Sequence, residues 1–178
     1  MIDKKDFRKQ SLARLKKISK QGRYRKDKYV VSTLYKKIKS SHIESVLLYI
    51  ALDIEVNLMP LIVQLRKEGK RVYVPFMEGK SFRVVRYRLP LFKKQFGINE
   101  PNYSKQYKKK QIDLAIVPIV GTDETLRRIG FGKGMYDRYF EKENRNIKEV
   151  VFVARELCYS QEVVTNHYDV RADSIITP

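Results

Sequence analysis

Arg127 to Phe140 reads RRIGFGKGMYDRYF. Gly130, Gly132 and Gly134 alternate with larger residues, and Arg127, Arg128, Lys133 and Arg138 surround them with positive charge. One carboxylate, Asp137, follows. Alternating glycines let backbone N–H groups approach a ligand closely. Where such a stretch runs into a helix, orphan N–H groups and the helix dipole add attraction for an anion, most often phosphate. Asp137, one turn into that helix, is placed to hold a divalent cation on phosphate oxygens. This is nucleotide-site chemistry, yet neither common glycine motif is present. The Walker pattern needs Gly-Lys-Ser/Thr, and here Lys133 is followed by Gly134. The dinucleotide fingerprint is G-x-G-x-x-G, and the spacing here is G-x-G-x-G.

The elements that must position this loop follow from periodicity. Residues 3–20 carry apolar positions at Phe7, Leu12, Leu15 and Ile18, which predicts an amphipathic helix; residues 23–39 predict a second. The run SVLLYIAL (45–52) reads as a strand buried on both faces. Asn57 is a candidate cap for a helix with Pro60 in its first turn and Gly69 at its end. RVYVPFM (71–77) and SFRVVRYRL (81–89) read as strands joined across Glu78, Gly79 and Lys80. Residues 91–110 read as a long basic loop with one short helix. Residues 114–120, 148–156 and 174–178 read as further strands, with a helix over 135–145. Alternating helices and fully apolar strands predict one α/β domain over 1–178, three-layered and Rossmann-like, with a mostly parallel sheet flanked by helices. Ligands of such sheets sit on loops beyond the strands' carboxyl ends, where the glycine stretch lies.

Composition narrows the classes. The 178 residues carry a formal net charge of +18. Residues 1–40 hold 15 Lys/Arg against 3 Asp/Glu, and residues 80–110 hold 10 against 1, so the rest sums to −3. Basic segments attract polyanions, so a nucleic-acid-binding protein is the alternative reading, and another α/β enzyme of phosphorylated metabolites is a third. No nucleic-acid motif supports the former. No apolar run approaches the ~20 residues that span a bilayer, and the first residues lack a signal-peptide pattern, so a cytoplasmic protein without a membrane partner is expected. Cys158 is the only cysteine, which excludes an internal disulfide. His42 and His167 are too isolated to suggest a metal site.

The segment DLAIVPIVGTDETLRRIGFGKGMYDRYF (113–140) resembles the signature of the 5-formyltetrahydrofolate cyclo-ligases, also called methenyltetrahydrofolate synthetases. Their pattern runs D-L-x-x-V-P, a phenylalanine-aspartate pair, then G-x-R-L-G-x-G-x-G-Y-Y-D-R. Asp113, Pro118, Asp123, Arg128, Gly130, Gly132, Gly134, Tyr136, Asp137 and Arg138 match it. Thr122 replaces the phenylalanine, Leu126 a glycine, Ile129 the leucine and Met135 the first tyrosine. Lys4 and Arg8 match a basic pair on the family's first helix that reaches ATP phosphates. Glu55 matches a glutamate that contacts folate, and Ile50 a neighbouring substrate position. FGINEP (96–101) matches a family landmark, and HYDVRADSIITP (167–178) matches the family's end.

The resemblance implies ATP- and Mg2+-dependent cyclisation of 5-formyltetrahydrofolate, with or without a polyglutamate tail, to 5,10-methenyltetrahydrofolate, in a monomer or weak homodimer. It implies ATP contacts along residues Ile129, Gly130, Phe131, Gly132, Lys133, Gly134, Met135 and Tyr136, with Lys4, Arg8 and Arg128, of which Arg128 and Lys133 serve catalysis. Ile50, Glu55 and Tyr136 would shape the folate pocket. Asp137 and Asp169 would hold magnesium, with Asp173 the alternative to Asp169.

Overall fold

The computed structural model of the chain describes residues 3–94, 97–102 and 111–178. Helix α1 (Lys4–Ser19) starts where the Asp3 carboxylate accepts from the Asp6 N–H at 2.7 Å, and α2 (Arg23–Ser40) follows after a short turn. Strand β1 (Ser45–Leu47), helix α3 (Met59–Lys67), and strands β2 (Arg71–Glu78) and β3 (Ser81–Arg86) come next. Short strands β4 (Leu91–Lys93) and β5 (Asn99–Pro101) precede β6 (Ile112–Pro118), β7 (Gly121–Asp123) and β8 (Arg128–Ile129). Helix α4 (Met135–Glu143), β9 (Ile147–Val153), β10 (Tyr159–Ser160) and β11 (Ser174–Ile176) complete the order.

The main sheet runs β11-β9-β6-β1-β2-β3. All its pairings are parallel except β2 with β3. Successive residues of a strand point to opposite faces, so a strand covered on both sides must be apolar throughout. Val46 and Leu48 pack under α2 and α3, which present Val30, Leu34, Ile38, Leu61, Ile62 and Leu65. Leu47, Ala115, Val117 and Phe152 face the other way, onto Tyr139 and Phe140 of α4. The result is the expected three-layer α/β arrangement. Helix α1 stands apart, with Phe7 and Leu15 packed on Val120, Ile129 and Cys158 beside a small sheet of order β10-β7-β8.

Three expectations change. The apolar run 45–52 is a strand only to Leu47; beyond the Leu48 N–H bond to the Tyr73 carbonyl at 2.9 Å, the chain leaves the sheet. The Tyr49 hydroxyl donates to the Val56 carbonyl at 3.0 Å, which folds residues 49–56 into a compact irregular loop. In the basic stretch, β4 and β5 form an antiparallel pair in place of the expected loop with one short helix; the rest of that expectation, at 95–96 and 103–110, lies outside the described residues. Helix α3 starts one residue later than Asn57 would set it, although the Asn57 side chain does accept from the Met59 N–H at 3.1 Å.

Candidate active site

The chain leaves β1 towards β2 on one side and later returns to place β6 on the other. The crevice beyond the carboxyl ends of such strands is where α/β sheets bind ligands. A cavity of about 220 Å³ opens there. Tyr49, Ile50 and Glu55 from the loop after β1, and Pro75 and Met77 from β2, line it. Arg128, Phe131, Lys133, Gly134, Met135 and Tyr136 line it as well, together with Asn99 of β5. The glycine stretch and the predicted folate residues therefore share one cavity, though 73 residues separate Glu55 from Arg128 in sequence.

Arg128 organises the junction. It is buried, its Nε donates to the Pro118 carbonyl at 2.9 Å, and its guanidinium carbon lies 4.6 Å from the centre of the Tyr136 ring. Burial lowers its pKa, against the opposing pull of Asp137, Tyr136, Glu55 and Asp169. One cation thus feels both candidate metal carboxylates and the candidate folate glutamate. The guanidinium also explains Gly130, where a Cβ would come 2.1 Å from Arg128 Nη1. Gly132, at φ +95, has the left-handed backbone that glycine alone adopts freely. Outside the loop, Arg138 grips the Lys133 and Lys80 carbonyls, so this signature residue clamps the loop to the β2–β3 turn.

Burial is the main influence on Glu55 and pushes its carboxyl up to about 7; the Leu52 N–H, 2.8 Å from Oε2, and the Arg128 and Arg155 charges oppose it. Burial also raises the Tyr136 phenol, with Glu55 adding to the effect. Tyr136 meets Phe82 edge-on at 4.9 Å.

Helix α1 reaches the loop from outside. Arg8 Nε donates to the Gly130 carbonyl at 2.7 Å, and Lys4 Nζ lies 2.6 and 2.5 Å from the two Asp169 oxygens. Asp169 also accepts from the Asn166 N–H at 2.7 Å, and Asp137 accepts from the neighbouring Val170 N–H at 3.3 Å. The two carboxylates therefore flank one turn. Among the described residues no group of three or more His, Cys, Asp or Glu converges as a metal site. A pair of hard oxygen donors still suits Mg2+, which keeps waters and takes phosphate oxygens as its other ligands, and the Lys4 ammonium shows that a cation is accommodated against Asp169. Asp173 is bound elsewhere, accepting from the Val150 N–H at 2.8 Å. The Ile129 side chain lies in the α1 core, so what it offers a ligand is backbone.

Two residues given no site role shape the site. Asp123 accepts from the Thr125 and Thr165 N–H groups and hydroxyls and from the Val164 N–H, tying the connector before the glycine loop to the segment before Asp169. Arg155 is buried and bonds Asp27 through Nε and Nη2 at 2.7 and 2.9 Å, the Ser19 hydroxyl at 2.9 Å and the Asp53 carbonyl at 2.6 Å. It pins the α1–α2 corner and the loop of Glu55 to the end of β9. The Asp123 match was visible in the signature; nothing local announces Arg155, whose partner is 128 residues away.

The family model for the 5-formyltetrahydrofolate cyclo-ligase family matches residues 1–178. The chain belongs to that family. It is similar to the cyclo-ligase of Escherichia coli (strain K12), 27% identical over 141 residues that cover 75% of this chain and 78% of that protein. A probable cyclo-ligase of Schizosaccharomyces pombe is 33% identical over 141 residues, covering 70% and 69%. Among solved structures, the Aquifex aeolicus 5,10-methenyltetrahydrofolate synthetase has a TM-score of 0.79 at 30% identity, covering 97% of this chain and 88% of that one. The cyclo-ligase family is thus supported by sequence and fold together, and the chain is an enzyme of that family. Membership also rationalises Leu126, which stands where the cyclo-ligase pattern has glycine and sits at φ +56. No helix of the described residues is long and apolar enough to cross a membrane.

Proposed function

We propose that the cavity binds 5-formyltetrahydrofolate against the triphosphate of ATP and that the enzyme closes the folate ring by phosphorylating the formyl oxygen. The observation that carries this reading is that the cationic glycine loop and the Glu55 loop line one and the same cavity. Tyr49, Ile50, Met77 and Tyr136 give apolar walls for a pterin ring. The Glu55 carboxylate suits the N–H edge of that ring, since a carboxylate accepts two parallel hydrogen bonds.

The formyl oxygen attacks the γ-phosphorus and ADP leaves, which gives an imidate-like phosphate at the formyl carbon. N10 of the same folate then attacks that carbon and gives up its proton, and the C–O bond breaks to release phosphate. No enzyme nucleophile is needed. Arg128 and Lys133 place positive charge beside the transferring group, and the N–H groups of Gly130 to Gly134 hold its oxygens, so catalysis is positioning plus charge stabilisation. Arg8 and Lys4 hold the rest of the triphosphate from α1. Mg2+, held by Asp137 and Asp169, would offset triphosphate charge. Turnover of substrate labelled with 18O at the formyl group tests the route: the released phosphate carries the label. Unlabelled phosphate would mean that the formyl oxygen is never phosphorylated.

A further inference from the structure

Tyr168 is 59% exposed and belongs to none of the apolar clusters. It is nonetheless firmly held. Its turn is closed by the Asn166 N–H on Asp169 Oδ2 and by the Asp169 N–H on the Asn166 carbonyl at 3.0 Å, and Asn166 Nδ2 donates to the Tyr168 hydroxyl at 2.9 Å. The His167 ring meets it edge-on at 5.3 Å, and Lys4 Nζ stands 5.9 Å from its centre. A cation at that distance over an exposed ring contributes little, so the contact does not account for an ordered ring presented to water.

The reaction proposed above fixes how a nucleotide must lie. The formyl acceptor is in the cavity, so the γ-phosphate is at its mouth beside Lys133 and Arg128. The α-phosphate, ribose and base must trail away from the cavity. Along that direction Arg8 sits on the Gly130 carbonyl, Lys4 follows one helical turn back on Asp169, and the Tyr168 ring stands next to Lys4.

We infer that Tyr168 is the platform on which the purine ring of ATP stacks, with the His167 ring set edge-on against it. This subsite rests on the ATP-dependent reading. Stacking a base on an aromatic ring depends on the ring's face and not on its hydroxyl.

Binding of MgATP and of magnesium tripolyphosphate, which has the phosphates without the base, separates the possibilities. Calorimetry on Tyr168→Ala should show MgATP weakened roughly tenfold or more, tripolyphosphate unchanged within twofold, and Tyr168→Phe like wild type. The chain contains no tryptophan, so Tyr168→Trp supplies a single tryptophan whose selectively excited emission MgATP should quench and tripolyphosphate should not. If Tyr168→Ala weakens both ligands equally, the residue only holds the Asp169 turn and the subsite is wrong. If it weakens neither, the ring has no part in binding. A wild-type protein that binds neither ligand overturns the nucleotide reading itself, an outcome distinct from the other two.

Discussion

Replacing Glu55 by glutamine should stabilise the protein at alkaline pH while impairing it as an enzyme. Burial raises this carboxyl from 4.5 to about 7. Between those values the folded chain holds a proton that the unfolded chain has released, so stability falls as pH rises through the interval and levels off above it. The difference, at about 1.36 kcal/mol for each tenfold in acidity, is ~3 kcal/mol. Glutamine keeps the shape and an oxygen for the Leu52 N–H but has no charge to desolvate. At pH 8.5 Glu55→Gln should therefore melt about 6 to 12 °C above wild type, given about 2 to 4 °C per kcal/mol for a chain of this size, and near pH 4.5 the two should coincide. Taking the difference between the two proteins removes every other titrating group. In the same pH series, wild-type affinity for 5-formyltetrahydrofolate should rise as Glu55 ionises through about pH 7, and the variant should bind weakly and independently of pH. A melting difference that stays constant from pH 5 to 9 would refute the placement of Glu55 in a desolvated cavity wall.

Asp137→Asn should leave a folded protein whose turnover falls on the order of a hundredfold, partly recovered by raising magnesium, because the charge that holds the metal is gone; full turnover at low magnesium would remove that role. Asp27→Ala leaves the buried Arg155 without its counter-charge and should cost about 3 to 5 kcal/mol in denaturant unfolding. Leu126→Gly relieves a left-handed backbone at φ +56 and should gain about 1 kcal/mol, read by the same unfolding experiment.

The glycine loop, the helices and the three layers were legible because each depends on local spacing. Gly130 to Gly134 signal a stripped backbone, and α2 carries its buried face at Val30, Leu34 and Ile38. The run 45–52 misled because an apolar stretch reports burial and not extension; Tyr49 and Ile50 are apolar because they wall a cavity. The strands β4 and β5 went unseen because three-residue strands carry too little alternation to read. Arg155 carried no local signal because its counter-charge, Asp27, arrives only through the tertiary fold. Phe7 shows the same limit on α1. It is buried against Val120 and Ile129, so deleting residues 1–9 would remove core as well as Lys4 and Arg8.

The central claim is that one cavity joins a folate to the γ-phosphate of ATP. The most direct measurement is absorbance during turnover of purified protein with 5-formyltetrahydrofolate, MgATP, or both. The account predicts a rise at the longer wavelength of the methenyl product only when both are present, with one ADP and one phosphate formed per methenyl group. A folded protein that gives no rise with both substrates, or an equal rise without ATP, would contradict it.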